Sequence, residues 1–222
     1  MKKLKRFLIS KLNGFKIPTP PKIKKWDIKD TDKICVLAPH ADDEVIGCGG
    51  LLARYGKQCD VILLTDGAFG GDEDTQKIRE NEFTNVMKFL NVNNFSFMRA
   101  QDTRLIEAYN LFEKLDLSSY DYVIMPHSLD AHKDHVVPQA FFKKLKKKKG
   151  FKAKAVYYEV WGAMSEPTHF IDISDVAETK SKAVGLYVSQ GNIDYAGRIL
   201  GLNHYRGMRH NVKYAETYAI DD

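Results

Sequence analysis

The chain has 222 residues, 44% of them hydrophobic and 28% charged, with a formal net charge of +5. That length suits one α/β domain with a substantial core, and no apolar run approaches the about 20 residues of a membrane span. The three cysteines, Cys35, Cys48 and Cys59, contain no CxxC pair, which argues against a disulfide framework or a thiolate metal site and for small buried residues.

Residues 1–30 read as a basic leader onto a single domain covering 31–222. The start has the flavour of a signal peptide, but the apolar stretch Phe7-Leu8-Ile9 is closed by Lys11, short of the about 7–15 residues of a signal core. A cytoplasmic protein is therefore the expectation. Leu4, Phe7, Leu8 and Leu12 fall at helical spacing. They predict a short basic helix packed on the domain, with peripheral contact to a membrane surface as the alternative. Pro18, Pro20 and Pro21 then make a stiff, extended stretch.

Beyond the leader, strands and helices alternate. Lys33–Ala38 reads as a buried strand and is followed by a glycine-rich helix from Gly47 to Tyr55. Asp60–Thr65 is a second strand, and Thr75–Leu90 has helical spacing through Ile78, Phe83, Val86 and Leu90. Phe95–Met98 is a third strand, Thr103–Leu115 a helix, Tyr122–Met125 a fourth strand and His135–Lys149 a helix. Such alternation implies parallel pairing with right-handed crossovers, that is, a Rossmann-like α/β three-layer sandwich with a mainly parallel sheet. The end is less regular: Ala155–Val160 and Thr168–Ile173 read as strands and Val176–Val188 as a helix. Tyr195, Arg198, Asn203, Tyr205 and Arg206 form a polar, aromatic-rich tail that suits either a sugar site or a surface hairpin or helix.

In open α/β sheets, ligands bind beyond the carboxyl ends of the strands. The first strand here runs into Pro39-His40-Ala41-Asp42-Asp43-Glu44, the second into Thr65-Asp66-Gly67, and the fourth into the segment from Pro126 through His127 to His135. Parallel strands bring these three segments to one edge. Imidazole nitrogen and carboxylate oxygen are zinc ligands, and a catalytic zinc usually keeps three protein ligands. His40 and Asp43 can face one ion, and His135 or His132 can complete the set. Asp42 is then a spare carboxylate suited to general base work. A single His-Asp pair in a loop more often makes a cap or surface hydrogen bond. Two such clusters at two strand ends favour a cation, which relieves the repulsion between crowded carboxylates.

His40-Ala41-Asp42-Asp43-Glu44 followed by Gly47-Cys48-Gly49-Gly50 resembles the opening motif of the LmbE/PIG-L family of zinc-dependent N-deacetylases. His132-Lys133-Asp134-His135 resembles that family's second metal motif. Thr65-Asp66-Gly67, Arg79-Glu80-Asn81-Glu82, Tyr157-Tyr158-Glu159-Val160-Trp161, Ser189-Gln190 and Tyr214-Ala215-Glu216 are similar to further family segments, so that the likeness covers roughly 33–218. One departure is Ala41, where the family usually has proline. The resemblance implies that His40, Asp43 and His135 bind Zn2+, with Fe2+ or Co2+ as other metals the ligands accept. It implies Asp42 as general base, His132 as a cationic or hydrogen-bonding stabiliser of the oxyanion, Asp134 as the residue that orients a histidine, and Arg79 as a substrate contact. Either Asp42 or His132 would return a proton to the leaving amine. The implied activity is removal of an N-acetyl group from an amino-sugar conjugate of surface-glycan or cell-wall assembly. The rivals are hydrolysis of another small N-acyl conjugate and a non-catalytic sugar-binding scaffold.

Other features have plainer explanations. Gly47, Gly49 and Gly50 occur without GK[ST] or GxGxxG, so close packing of the helix on the first strand is favoured over a phosphate loop. Arg79 has acidic neighbours and, apart from the resemblance, reads as one half of a surface ion pair. His127 is a candidate support for the ligands, whereas His169, His204 and His210 are isolated. The lysine run at 143–149 lacks interleaved aromatics and ends a helix, where cations are favoured, so no nucleic-acid partner is expected.

Overall fold

The computed structural model describes residues 22–68, 73–190 and 194–221. The helix expected around Leu4–Leu12 and the proline stretch lie outside these residues. Eight strands, β1 (Lys24–Lys25), β2 (Ile34–Ala38), β3 (Cys59–Thr65), β4 (Asn94–Ala100), β5 (Tyr122–Pro126), β6 (Lys154–Tyr158), β7 (His169–Asp172) and β8 (Ala215–Ile220), form one sheet in the order β1-β7-β8-β6-β5-β2-β3-β4. All neighbours pair in parallel except β8, which is antiparallel to both β6 and β7. The helices are α1 (Asp43–Tyr55), α2 (Glu73–Phe89), α3 (Tyr109–Phe112), α4 (Val137–Lys149), α5 (Ala177–Gly185) and α6 (Tyr195–Met208). No helix among the described residues is long and apolar enough to cross a membrane.

The central strands are apolar on both faces, as parallel strands covered by helices must be. Ile34, Val36 and Ala38 of β2 join one core cluster with Val45 and Leu51 of α1, Phe83 of α2 and Ala183 of α5. The alternate residues Cys35 and Leu37 join the other, with Phe112 of α3 and Phe141, Phe142 and Leu145 of α4. Period-two alternation thus divides one strand between two cores. The three cysteines are buried and free, and burial pushes the Cys35, Cys48 and Cys59 thiols up, away from the reactive thiolate.

Several boundaries differ from the sequence expectation. The helix expected over Thr103–Leu115 is only a 3-10 turn at Leu105–Glu107 followed by α3. Its first turn is diverted because the Asp134 carboxylate accepts the N–H groups of Thr103 and Leu105, and Thr103 takes φ 66°. The described part of the expected leader is built into the domain: β1 pairs with β7, and Trp26 packs edge-on against Tyr122 and Tyr218. The aromatic tail is a helix, α6.

The glycines of α1 do serve close packing, but against other partners than the first strand. A Cβ at Gly47 would lie 2.0 Å from the Tyr158 ring of β6, one at Gly49 would meet Lys180 of α5, and one at Gly50 would lie 2.4 Å from Ile173. Gly47→Ala is therefore expected to destabilise the fold by about 1–3 kcal/mol through overpacking, read as a lower denaturant midpoint.

The lysine run ends α4 as expected. Gly150 caps it at φ 71°, Lys146 Nζ donates to the Ala153 carbonyl, Lys148 pairs with Glu113 at 2.8 Å and Lys149 Nζ donates to the Leu115 carbonyl.

Candidate metal centre

The order of the strands reverses between β2 and β5: the chain passes from β2 outward to β3 and β4, and from β5 the other way to β6. A crevice opens at such a switch point, at the carboxyl ends of the strands. The loop after β2 and the loop after β5 flank it. In the first, Asp43 begins α1 and its Oδ2 accepts the His40 N–H at 2.8 Å, while Thr65 of β3 ties down the Pro39 carbonyl through both N–H and hydroxyl. These bonds hold the turn in which Ala41 stands in place of proline, and Ala41 itself is buried.

Three ligand atoms converge. His40 Nδ1 lies 3.2 Å from Asp43 Oδ2 and 3.1 Å from His135 Nε2, and His135 Nε2 lies 3.1 Å from Asp43 Oδ2. Around an ion with bonds of about 2.0–2.1 Å, adjacent ligand atoms stand about 3.0–3.4 Å apart, depending on coordination number. The triangle therefore fits a small divalent cation. Each histidine is oriented from behind. His135 Nδ1 meets Asp130 Oδ1 at 2.8 Å, and His40 Nε2 meets Asp102 Oδ1 at 3.1 Å and Asp134 Oδ2 at 3.5 Å. This is the carboxylate–histidine arrangement that fixes the tautomer of a metal ligand, leaving the inward nitrogen to accept the ion.

The electrostatics point the same way. Against the cost of burial, His135 and His40 hold Asp43 well below the usual carboxylate range. Against the same cost, Asp43 and Asp130 raise His135 to about 9, and Asp102, Asp134 and Asp43 raise His40. Crowded buried carboxylates thus favour positive charge where the ring nitrogens meet, and one divalent ion would supply it.

Asp42 sits beside the triangle and is buried, with φ 129°, a conformation that non-glycine residues adopt only when the surroundings enforce it. Its N–H donates to Glu44 Oε2 at 3.3 Å, and Glu44 in turn accepts from the Tyr187 hydroxyl. Burial, and then the Asp43 charge, push the Asp42 carboxyl up to about 7, while Arg79, His40 and His135 draw it down.

His132 stacks edge-on with His40 at 4.7 Å, and ring nitrogens of His40, His132 and His135 lie within 4.8 Å of one another. The His132 Nδ1 accepts the Asp134 N–H at 3.2 Å, so a neutral ring carries its proton on Nε2. Burial, and then His40 and His135, lower its pKa, which favours a neutral hydrogen-bond donor over a cation.

Arg79 does not make the surface ion pair its neighbours suggested. Glu80 pairs with Arg99 and Glu82 binds Ser189, whereas Arg79 Nη1 donates to the Gly67 carbonyl at 2.8 Å. Its Nε is buried without a hydrogen-bond partner among the described residues. His127 supports the loop after β5 by binding the Gly162 carbonyl.

Two carboxylates escaped the sequence reading. Asp102 stands two residues beyond β4, so the strand-end rule applied to that strand would have found it. Asp130 lay within the quoted loop but was given no role. Asp130→Ala is expected to weaken metal binding about 10–100-fold, because His135 loses the group that sets its tautomer. A competition titration against a chromogenic chelator measures this.

An open α/β fold with a histidine–carboxylate cluster that fits a cation at its switch point defines the class: a Rossmann-like α/β protein with a candidate metal site. Residues 35–145 match the sequence pattern of the PIG-L family, described as GlcNAc-PI de-N-acetylase. The chain belongs to the PIG-L family, a family of N-deacetylases acting on amide bonds.

Among solved structures, the chain resembles N,N'-diacetylchitobiose deacetylase from Pyrococcus horikoshii, with a TM-score of 0.74, 22% identity and coverage of 100% of this chain and 92% of that one. It also resembles the zinc-inhibited form of teicoplanin deacetylase Orf2, with a TM-score of 0.67, 16% identity and coverage of 85% and 97%. A third similar structure is the 4-carboxy-2-hydroxymuconate hydratase of Pseudomonas putida, with a TM-score of 0.66, 17% identity and coverage of 86% and 97%. The same frame thus carries a hydratase as well as deacetylases, and the reaction has to be argued from the site.

Proposed function

We propose that this chain hydrolyses the N-acetyl group of an acetamido-sugar conjugate, giving acetate and the free amine, with one divalent metal, zinc in the first instance, held by His40, Asp43 and His135. The observation that carries the reading is the triangle of His40 Nδ1, Asp43 Oδ2 and His135 Nε2, with the Asp42 carboxyl beside it, in a chain of the de-N-acetylase family. A divalent ion bound there would polarise the acetyl carbonyl and acidify a neighbouring water. Asp42 takes the proton from the attacking water as the new C–O bond forms. The His132 Nε2–H donates to the oxyanion that develops on the carbonyl oxygen. Asp42 then delivers that proton to the amine nitrogen as the C–N bond breaks, while His132 keeps its own. Arg79, whose Nε has no hydrogen-bond partner among the described residues and whose guanidinium lies close to Asp42, faces the substrate. The role in surface-glycan or cell-wall assembly belongs to the same proposal and rests on family likeness.

The experiment is a panel of N-acetyl sugars, sugar nucleotides and non-sugar N-acyl amines incubated with purified, metal-loaded protein. Acetate and primary amine should appear in equal amounts from one or more sugars. Release from only the non-sugar amines overturns the sugar, and hydration of an enoyl substrate in place of amide cleavage overturns the reaction.

A further inference from the structure

The segment 187–190, which follows α5, links two parts of the site that are far apart in the chain. At one end the Tyr187 hydroxyl donates to Glu44 Oε1, and Glu44 Oε2 accepts the Asp42 N–H at 3.3 Å. At the other, Ser189 donates its N–H at 2.7 Å and its hydroxyl at 2.6 Å to the two oxygens of Glu82 on α2. Tyr187 is buried and belongs to the same core cluster as Ala41 and Val45. Packing on one side and the Glu82 anchor on the other therefore fix where its hydroxyl meets Glu44.

Asp42 needs such a support. Its φ of 129° is a backbone conformation that L side chains rarely adopt, and its side chain makes no hydrogen bond capping α1. The aim of the carboxyl is therefore carried by the backbone of residue 42. On one side α1 fixes that backbone, because the Asp42 carbonyl accepts the N–H groups of Val45 and Ile46. On the other, the peptide between Ala41 and Asp42 is turned by the N–H that Glu44 accepts. Without that bond, rotation of this peptide relieves the strained φ and shifts Asp42 relative to His40.

We propose that Tyr187 is a positioning residue for the hydrolytic base: through Glu44 it holds the strained Asp42 turn so that the carboxyl stays beside the metal triangle. A reacting geometry tolerates displacement poorly, and a shift of about 1 Å lowers a rate by about 10²-fold. The effect on rate rests on the deacetylase reading, whereas the hold on the turn is independent of the reaction.

Tyr187→Phe tests it, since it removes the hydroxyl and keeps the ring. In the metal-loaded, full-length protein acting on an N-acetyl sugar, kcat should fall at least about tenfold, KM should stay within about twofold and the metal content should be unchanged. On the Asp42→Asn background the same substitution should alter the residual rate by less than about twofold, because the group it positions is gone. Hydrogen exchange read by mass spectrometry needs no reaction. A peptide containing residues 41–44 should exchange at least about tenfold faster in Tyr187→Phe, while β3 keeps its protection. A wild-type kcat, or an equal loss on both backgrounds, makes the hydroxyl merely structural and overturns the positioning role, as does unchanged exchange. If the wild type cleaves no N-acetyl compound, the deacetylase reading falls and the exchange result alone decides the role of Tyr187.

Discussion

Asp42→Asn should reduce acetate release by a factor of about 10²–10⁴ while the protein still binds one equivalent of metal. The substitution is isosteric, and the hydrogen bond that holds residue 42 in place runs from its backbone N–H to Glu44, so the turn keeps its anchor. In the proposed site the ion is held by His40, Asp43 and His135, and the hydrogen bonds among these three do not involve the Asp42 carboxyl. What the amide cannot do is accept the proton of an attacking water. Parallel assays of acetate release and metal content separate this outcome from its alternatives. A variant that keeps the wild-type rate removes Asp42 from the base role, and one that loses both metal and rate makes it part of the ion's support.

Lys180→Met should destabilise the fold by about 3–5 kcal/mol, measured as a shift in the denaturant midpoint. Lys180 is wholly buried, and its Nζ donates to Glu216 at 2.7 Å and to the Ile46 carbonyl at 2.8 Å. Glu216 also accepts the N–H groups of Gly50 and Leu51 and the Tyr218 hydroxyl. A lysine from α5 and a glutamate from β8 thus bind the middle of α1, the helix that starts at Asp43. Removing the lysine leaves Glu216 charged, buried and facing a bare carbonyl. The double variant Lys180→Met with Glu216→Gln should recover part of the loss, since the uncompensated charge is gone while the amide still meets some of the backbone donors. A single variant as stable as the wild type would show that the pair contributes nothing beyond the packing of its methylene stem.

The parts of this molecule that sequence alone exposes are those where one residue type has one common use. The central strands are uninterrupted runs such as Ile34–Ala38, and alternation with helices leaves little choice but a parallel sheet. His40, Asp43 and His135 were visible because histidines and carboxylates gather directly after strands. The rest was hidden by polar residues whose partners are remote in the chain. β8 contains Glu216 and Thr217, which local pattern assigns to solvent, yet both are buried because Lys180 of α5 and Glu159, the residue after β6, await them. Thr103–Leu115 has helical spacing, but Asp134 takes two of its backbone donors and bends the segment. Asp130 is an unremarkable loop aspartate until β5 and β6 bring His135, Trp161 and Gly162 to its two oxygens.

The central claim is that one ion, held by three side chains at the β2–β5 switch point, is required for amide hydrolysis. The most direct measurement is acetate release from the best N-acetyl sugar of the panel, by protein stripped with a chelator and then titrated with zinc, iron or cobalt. Activity should be absent in the stripped protein and should rise linearly to a break at one equivalent of an effective metal per chain. A stripped protein that releases acetate at the full rate, or a break at two equivalents, would contradict the account.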